Sequence, residues 1–241
     1  QWYLEIFKKI KAAHPELHVK AMTAAEIDFL SRHYGLSYDE VIEKMLEYGV
    51  DSMPGGGAEI FDEEVRAKIC KGKVSSENWL KIHKMWHDKG KQSNATMLFG
   101  HIESRENRID HMLRIRDLQD ETGGFNAFIP LVYQRENNYL KDVKFLGSAE
   151  ILKTMAISRL VLDNVPHIKA YWATSTLNLA MIAQEFGADD LDGTIEKESI
   201  QSAAGANSAN GVTLKTFCDL IKTSGFTPVE RDSLYNELKI Y

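Results

Sequence analysis

The chain has 241 residues, of which 44% are hydrophobic and 27% charged, with a formal net charge of −6. This is ordinary globular composition, enough for one sizeable core or two small ones. The acidic balance argues against nucleic acid as a partner, no run approaches the roughly eighteen apolar residues of a membrane span, and Gln1-Trp2-Tyr3-Leu4-Glu5 lacks the basic start and cleavage site of a signal peptide.

Along the chain, short β-prone segments alternate with longer ones of helical period. A first helix is expected over 2–12, and strands over 18–22, 50–53, 94–99, 125–130, 168–173 and 190–194. Thr23 with Glu26, and Ser37 with Glu40, have the spacing of capping boxes, in which hydroxyl and carboxylate satisfy each other's orphan amides. Gly35, Gly49, Gly90 and Gly187 stand where helices should stop. Trp79, Ile82, Met85 and Trp86 recur at helical spacing, as do Ile151, Leu152, Met155 and Leu160, so each set predicts one buried stripe. Alternation of this kind means a parallel sheet wrapped by helices. Six strand and helix units are visible where a closed βα-barrel needs eight, which predicts an incomplete barrel, in one domain because no Pro- or Ser-rich linker interrupts it.

Two places in this pattern read as a site. Ser52-Met53-Pro54-Gly55-Gly56-Gly57-Ala58-Glu59 and, about forty residues on, Thr96-Met97-Leu98-Phe99-Gly100-His101-Ile102-Glu103 each follow a strand, where parallel sheets bind their ligands. Three successive glycines leave the backbone bare for a ligand's approach, though a plain βα turn explains them too. His101 follows a buried strand and could hydrogen-bond a developing charge, or be a satisfied buried histidine. His83 and His87 have the i, i+4 spacing of a metal pair but no third ligand, so they read as surface helix residues and no metal site is expected. Cys70 and Cys218 form neither a C-x-x-C pair nor a disulfide framework, as in a reducing, cytoplasmic compartment.

These segments carry a resemblance. Met53-Pro54-Gly55-Gly56-Gly57-Ala58-Glu59-Ile60 and Asn94 through Glu103 resemble the radical S-adenosylmethionine enzymes of futalosine-dependent menaquinone synthesis. So do Asp120-Glu121-Thr122-Gly123-Gly124-Phe125, Pro166-His167-Ile168-Lys169-Ala170-Tyr171-Trp172, Phe186 through Thr194 and Glu230-Arg231-Asp232-Ser233-Leu234-Tyr235-Asn236. The resemblance implies a bacterial enzyme with a TIM-type barrel of the radical SAM kind, of which 1–241 would be the carboxyl-terminal part. It further implies S-adenosylmethionine and a 4Fe-4S cluster as cofactors. The implied reaction splits S-adenosylmethionine into methionine and a 5′-deoxyadenosyl radical, which adds to 3-[(1-carboxyvinyl)oxy]benzoate and leads to 6-amino-6-deoxyfutalosine. The sister cyclase of that route and the deazaflavin (FO) synthases share part of these patterns, and a silent barrel that only binds an adenine nucleoside is the alternative of another class. The family's three closely spaced cluster cysteines have no counterpart here, so this chain alone is expected to hold no cluster and to be inactive, and an open sheet edge at the first strand would allow a homodimer.

Residue by residue, the resemblance implies that Gly55, Gly56, Gly57 and Glu59 approach S-adenosylmethionine. Thr96, Leu98, Gly100 and Glu103 match the family's G-x-I-x-G-x-x-E pattern, with Thr96 in place of its first glycine and Leu98 in place of isoleucine, and would support the adenine. His101 would be catalytic. Because the implied substrate has two carboxylates, cations are expected around it: Lys20, Lys169 and Arg231, with Thr23 and Asn94 as further polar candidates.

Overall fold

A computed structural model describes residues 2–137, 139–140, 142–195, 199–206 and 211–241. Its elements in chain order are α1 (Trp2–Ala13), α2 (Ala24–Tyr34), α3 (Tyr38–Glu47), β1 (Ser52–Met53), α4 (Glu63–Ile69), α5 (Ser76–Asp88), β2 (Gln92–Phe99) and α6 (Arg105–Thr122). There follow β3 (Phe125–Val132), α7 (Ser148–Val161), β4 (His167–Ala170), α8 (Trp172–Ser175), α9 (Leu177–Ala183), β5 (Asp190–Leu191), α10 (Ile200–Ala203), α11 (Leu214–Thr223), β6 (Val229–Arg231) and β7 (Glu237–Ile240).

Strands β1 to β5 form one parallel sheet in sequence order, and a bridge from Lys20 to Ser52 adds the segment before α2 as its first member. The six expected parallel units are therefore present; β1, β4 and β5 are shorter than the pattern suggested, and β2 and β3 are each two residues longer. Trp172 and Ala173, expected at a strand's end, instead begin α8. The antiparallel pair β6 and β7 is a feature the alternation did not announce. The sheet's first and last members come near one another, near enough for the charges of Lys169, Asp190 and Asp192 to act on Lys20.

Local chemistry sets the helix ends. Thr23 and Ser37 make both halves of their capping boxes, and Gly35 closes α2 in the left-handed conformation. One apolar cluster runs from Met22 to Ile221 and lies mainly between the sheet and its helices, with Trp79, Trp86, Phe99, Phe125 and Phe128 almost wholly buried. Of the second expected stripe, Ile151 and Met155 are buried while Leu160 is exposed, so the stripe ends a turn early. No described helix is long and apolar enough to cross a membrane.

His83 and His87 are not on the surface. Both are buried, on the side of α5 that packs against β2 and β3. Thr122 Oγ1 donates to the Leu118 carbonyl, so it accepts from His87 Nδ1 at 2.8 Å; His87 Nε2 then accepts from Ser93 Oγ at 2.7 Å, and Ser93 Oγ accepts from His83 Nδ1 at 2.8 Å. The chain fixes both rings as neutral tautomers and leaves His83 Nε2 without a partner. Burial lowers His87 to about 4 and His83 well below its ordinary value.

Candidate functional site

At the carboxyl end of β1 the chain makes the glycine turn, and the glycines are required by packing. A Cβ on Gly55 would come within 2.7 Å of the Asn94 carbonyl oxygen on β2, and one on Gly56 within 2.8 Å of the Thr23 methyl group. The turn therefore lies directly on the neighbouring strand and on the start of α2. Its carbonyls point inward: Gly55 accepts from Thr96 Oγ1 at 2.6 Å and Gly56 from Trp79 Nε1 at 3.2 Å. The buried guanidinium of Arg66 donates to Gly57, Ala58, Ile60 and Val74 carbonyls. By contrast, the amides of Gly55, Gly56 and Gly57 donate to no protein acceptor among the described residues. Glu59 follows with φ 45°, and Met22, at the end of the first sheet segment, has φ 65°. Two side-chain-bearing residues in the left-handed region thus flank the turn, strain of a kind that concentrates at ligand sites. The Glu59 carboxylate meets Lys73 Nζ at 2.7 Å.

Beyond β2, Gly100, His101 and Glu103 form a closed knot. The Glu103 side chain is completely buried and accepts from the amides of Gly100 at 2.6 Å and His101 at 2.8 Å, and from Arg108 on α6 at 2.8 Å. Burial pushes its carboxyl up, but the His101 ring, the Gly100 amide and Arg108 outweigh this and hold it at about 2. The His101 ring is also fully buried: Nε2 donates to the Leu98 carbonyl at 3.0 Å and Nδ1 faces the Glu103 carboxylate at 3.0 Å. Both ring nitrogens are occupied, so His101 shapes the turn and is not placed to touch a reactant. Glu103 likewise holds the backbone rather than a ligand. Thr96 is bonded to the glycine turn and Leu98 stands on the same side of β2, both half-buried, whereas Ala95, Met97 and Phe99 face the helices.

Inside the curl, below Thr96 and Leu98, the side chains become polar. Lys20 Nζ donates to Asn94 Oδ1 at 2.9 Å, and Asn94 Nδ2 to Asn126 Oδ1 at 2.5 Å. On β4, Lys169 Nζ meets Asp192 at 2.8 Å and Asp190 at 3.2 Å. Arg231 from β6 makes a two-pronged contact with Asp190, at 2.7 Å from Oδ2 and 2.9 Å from Oδ1, and Tyr235 donates to Asp190 Oδ2 at 2.7 Å. Tyr235 also stacks on His167 at 4.0 Å, at the amino end of β4. The hairpin thus closes the amino ends of the strands, away from the glycine turn. Burial and the neighbouring Lys169 and Arg231 charges lower Lys20 to about 8. For Asp190 burial is outweighed by Lys169 and Arg231, which hold it below the usual carboxylate range, while burial dominates at Asp192 and raises it.

Of the residues expected from sequence, Asn94 and Lys169 are buried in one cluster, which the exposed Lys20 joins at the open edge of the sheet and Arg231 from the hairpin. Thr23 does not join it, because its hydroxyl caps α2. Arg231 is at its margin with its guanidinium taken by Asp190. The sequence reading missed Arg66, Asn126, Asp190, Asp192 and Tyr235. The alternation Asp190-x-Asp192 was a usable signal, since alternate residues of a strand share a face. A separate cavity of about 280 Å³, lined by Gly100, Tyr133, Arg135, Phe145, Thr174 and Gly205, lies at the carboxyl ends of β3 and β4.

A curled parallel sheet, wrapped by helices, with a glycine turn at the carboxyl ends and a polar interior, defines an incomplete βα-barrel with its site in the barrel. The chain belongs to the radical SAM superfamily, whose family profile matches residues 3–115, while that of the CofH/MqnC C-terminal region matches 122–241. It is 48% identical to aminodeoxyfutalosine synthase of Thermus thermophilus over 244 residues, covering 100% of this chain and 66% of that protein. It is 36% identical to the 5-amino-6-(D-ribitylamino)uracil--L-tyrosine 4-hydroxyphenyl transferase of Archaeoglobus fulgidus over 239 residues, covering 98% of this chain and 70% of that protein. Among solved structures, methylornithine synthase (PylB) shares the fold, with a TM-score of 0.68 at 12% identity, covering 95% of this chain and 63% of that one. The chain therefore spans about two thirds of the length of the curated relatives it matches.

Proposed function

We propose that the chain belongs to an aminodeoxyfutalosine synthase, which joins the 5′-deoxyadenosyl group of S-adenosylmethionine to 3-[(1-carboxyvinyl)oxy]benzoate. The observation that carries this reading is the interior cluster, in which Lys20, Lys169 and Arg231 outnumber the carboxylates of Asp190 and Asp192 beneath the glycine turn. A dianionic substrate suits such a chamber, and the identity to the Thermus thermophilus enzyme gives the reading its name.

S-adenosylmethionine, when bound, supplies the adenosyl group that is transferred. The chain's residues fit it at the glycine turn, where, among the described residues, the amides of Gly55, Gly56 and Gly57 meet no acceptor and the Glu59 carboxylate is held only by the half-exposed Lys73. These donors and this carboxylate match the carboxylate and amino group of an amino-acid moiety. Thr96 and Leu98 border the turn from β2 and Gly100 follows them, so by this reading their part is to shape the rim against which the adenosyl group lies. The 4Fe-4S cluster finds no fit: among the described residues no three His, Cys, Asp or Glu side chains could hold a metal, Cys70 ends α4, and Cys218 is buried on α11.

Lys20 and Lys169 hold the substrate's carboxylates by this reading, and Asn94 keeps Lys20 in place. The half-buried Leu98, Ile129 and Leu131 offer apolar surface above them, which keeps water from the reacting carbons. By this reading residues 1–241 are the carboxyl-terminal part of a single barrel domain, which their continuous apolar cluster supports.

Disruption of the gene encoding the chain tests the reading. It should abolish 6-amino-6-deoxyfutalosine in cell extracts, measured by mass spectrometry. An unchanged level overturns the proposal, and accumulation of dehypoxanthine futalosine instead assigns the sister cyclase reaction.

A further inference from the structure

The Asn94–Asn126 pair has a proton arrangement that its neighbours dictate. Lys20 can only donate, so the Asn94 atom it meets at 2.9 Å is the oxygen; Asn94 Nδ2 must then donate onward, and the Asn126 atom it meets is again an oxygen. The Asn126 amino group is left over. It is buried, the residue being 5% exposed, and has no hydrogen-bond partner among the described residues. An orphaned buried donor is costly, so its retention asks for a missing acceptor.

Other donors around it are unpaired as well. Lys20, exposed at the open edge of the sheet, has three N–H groups and gives one to Asn94, so the other two are free to meet a ligand entering from that edge. Lys169 has three and uses two, on Asp190 and Asp192. Against these stands one unpaired buried acceptor in the cluster, Asp192 Oδ2. Asp190 needs nothing further, because Arg231 and Tyr235 occupy both its oxygens. The surface above is apolar: Leu98 pairs in register with Leu131, and Thr96 with Ile129. The complementary ligand is an organic anion with an apolar body.

We propose that Lys20, Asn126 and Lys169 form a carboxylate-binding floor in the barrel, with the Asn126 amino group as its selective donor, taking an arylcarboxylate whose ring lies against Leu98, Ile129 and Leu131. This deepens the function proposed above and rests on it for the identity of the ligand, 3-[(1-carboxyvinyl)oxy]benzoate. Asn126 favours a planar carboxylate by hydrogen bonding where a lysine only supplies charge. Inorganic phosphate has no apolar part to lie against the upper residues and should bind far less well.

The test follows the Asn126 side-chain amide by nitrogen-15 NMR in the full chain, titrated separately with benzoate, 3-[(1-carboxyvinyl)oxy]benzoate, inorganic phosphate and benzyl alcohol. Both carboxylates should shift this resonance, and benzyl alcohol should not. Asn126→Asp keeps the oxygen that accepts from Asn94 and replaces only the orphaned donor, so it should weaken both carboxylates at least about tenfold. Lys169→Met should do the same and serves where the first variant fails to fold. Benzoate binding through Asn126 without binding of the dicarboxylate supports the floor and removes the futalosine reading. Carboxylates that bind without moving the Asn126 signal, that bind a folded Asn126→Asp variant with unchanged affinity, or that do not bind at all overturn the proposal. Phosphate binding as tightly as benzoate overturns its arylcarboxylate part.

Discussion

Gly123 and Gly124 stand side by side between α6 and β3, yet different physics requires each. Gly123 ends α6 with φ 63°, and a Cβ there would meet open space. Gly124 has no such backbone demand, but its Cβ would come within 2.1 Å of His87 Cγ, far inside contact distance of the ring. That ring cannot retreat, because Ser93 and Thr122 hold its two nitrogens. Gly123→Ala should therefore cost only the left-handed strain of about 1–2 kcal/mol. Gly124→Ala should cost about 3 kcal/mol or more by overpacking a locked site. Denaturant unfolding of the two variants checks the order, and equal losses would show that the histidine network can shift. Glu103 poses a second question of the same kind. Glu103→Gln removes the buried partner of Arg108 and should cost about 3 kcal/mol by the same measurement, as breaking a buried pair does. A cost near zero would mean that Arg108 finds full compensation in Glu150 and Thr154.

At the scale of the elements, α5 shows what was legible and what was not. Residues 79, 82, 83, 86 and 87 recur at the three- and four-residue spacing of one helix face. Trp79, Ile82 and Trp86 marked the face, and the pattern already contained His83 and His87, which their polarity assigned to the surface. Only the partners on β2 and α6, distant in sequence, make their burial tolerable. The same limit applied at the site. Strand order, the capping boxes and the carboxyl-end turns follow from local pattern, and were readable. That His101 and Glu103 spend their polar atoms on their own turn, or that Asn126 keeps an orphaned donor, depends on contacts across the fold.

The buried histidines carry a pH prediction. Burial lowers His87 from 6.5 to about 4, and His111, which donates to the Thr96 carbonyl at 2.9 Å, to about 3. Between these values and 6.5 the unfolded chain binds more protons than the folded one, so stability is full above about pH 6.5 and falls as pH drops towards 4. Glu103 works in the same direction lower down: its contribution is present above about 4.5 and is lost as pH falls through about 2. Denaturant midpoints measured from pH 7 to 4 should decline, and His87→Gln should flatten the slope. A flat profile in the parent chain would place these rings in water.

For the molecule as a whole, the terminal hairpin is the element with the least apolar attachment. Strand β7 is exposed along its length, and β6 nearly so. What fastens the hairpin to the barrel is polar and centred on one residue: Asp190 accepts from Nε and Nη2 of Arg231 and from the Tyr235 hydroxyl, with the His167 stack beside them. Lys169 is a third partner of the same carboxylate, so the hairpin's clamp and the barrel's interior charge are joined at Asp190. Asp190→Asn keeps the shape and removes the charge. It should release the hairpin locally, with amide protection over 229–240 falling at least about tenfold in hydrogen exchange while β2 and β3, held by the apolar core, keep theirs. The variant should also weaken binding of 3-[(1-carboxyvinyl)oxy]benzoate, because Lys169 loses one of the two carboxylates that fix its position. Protection lost evenly across the sheet would instead make Asp190 part of the global core, and unchanged protection in the hairpin would mean that the Tyr235 stack and the β6–β7 ladder suffice to hold it.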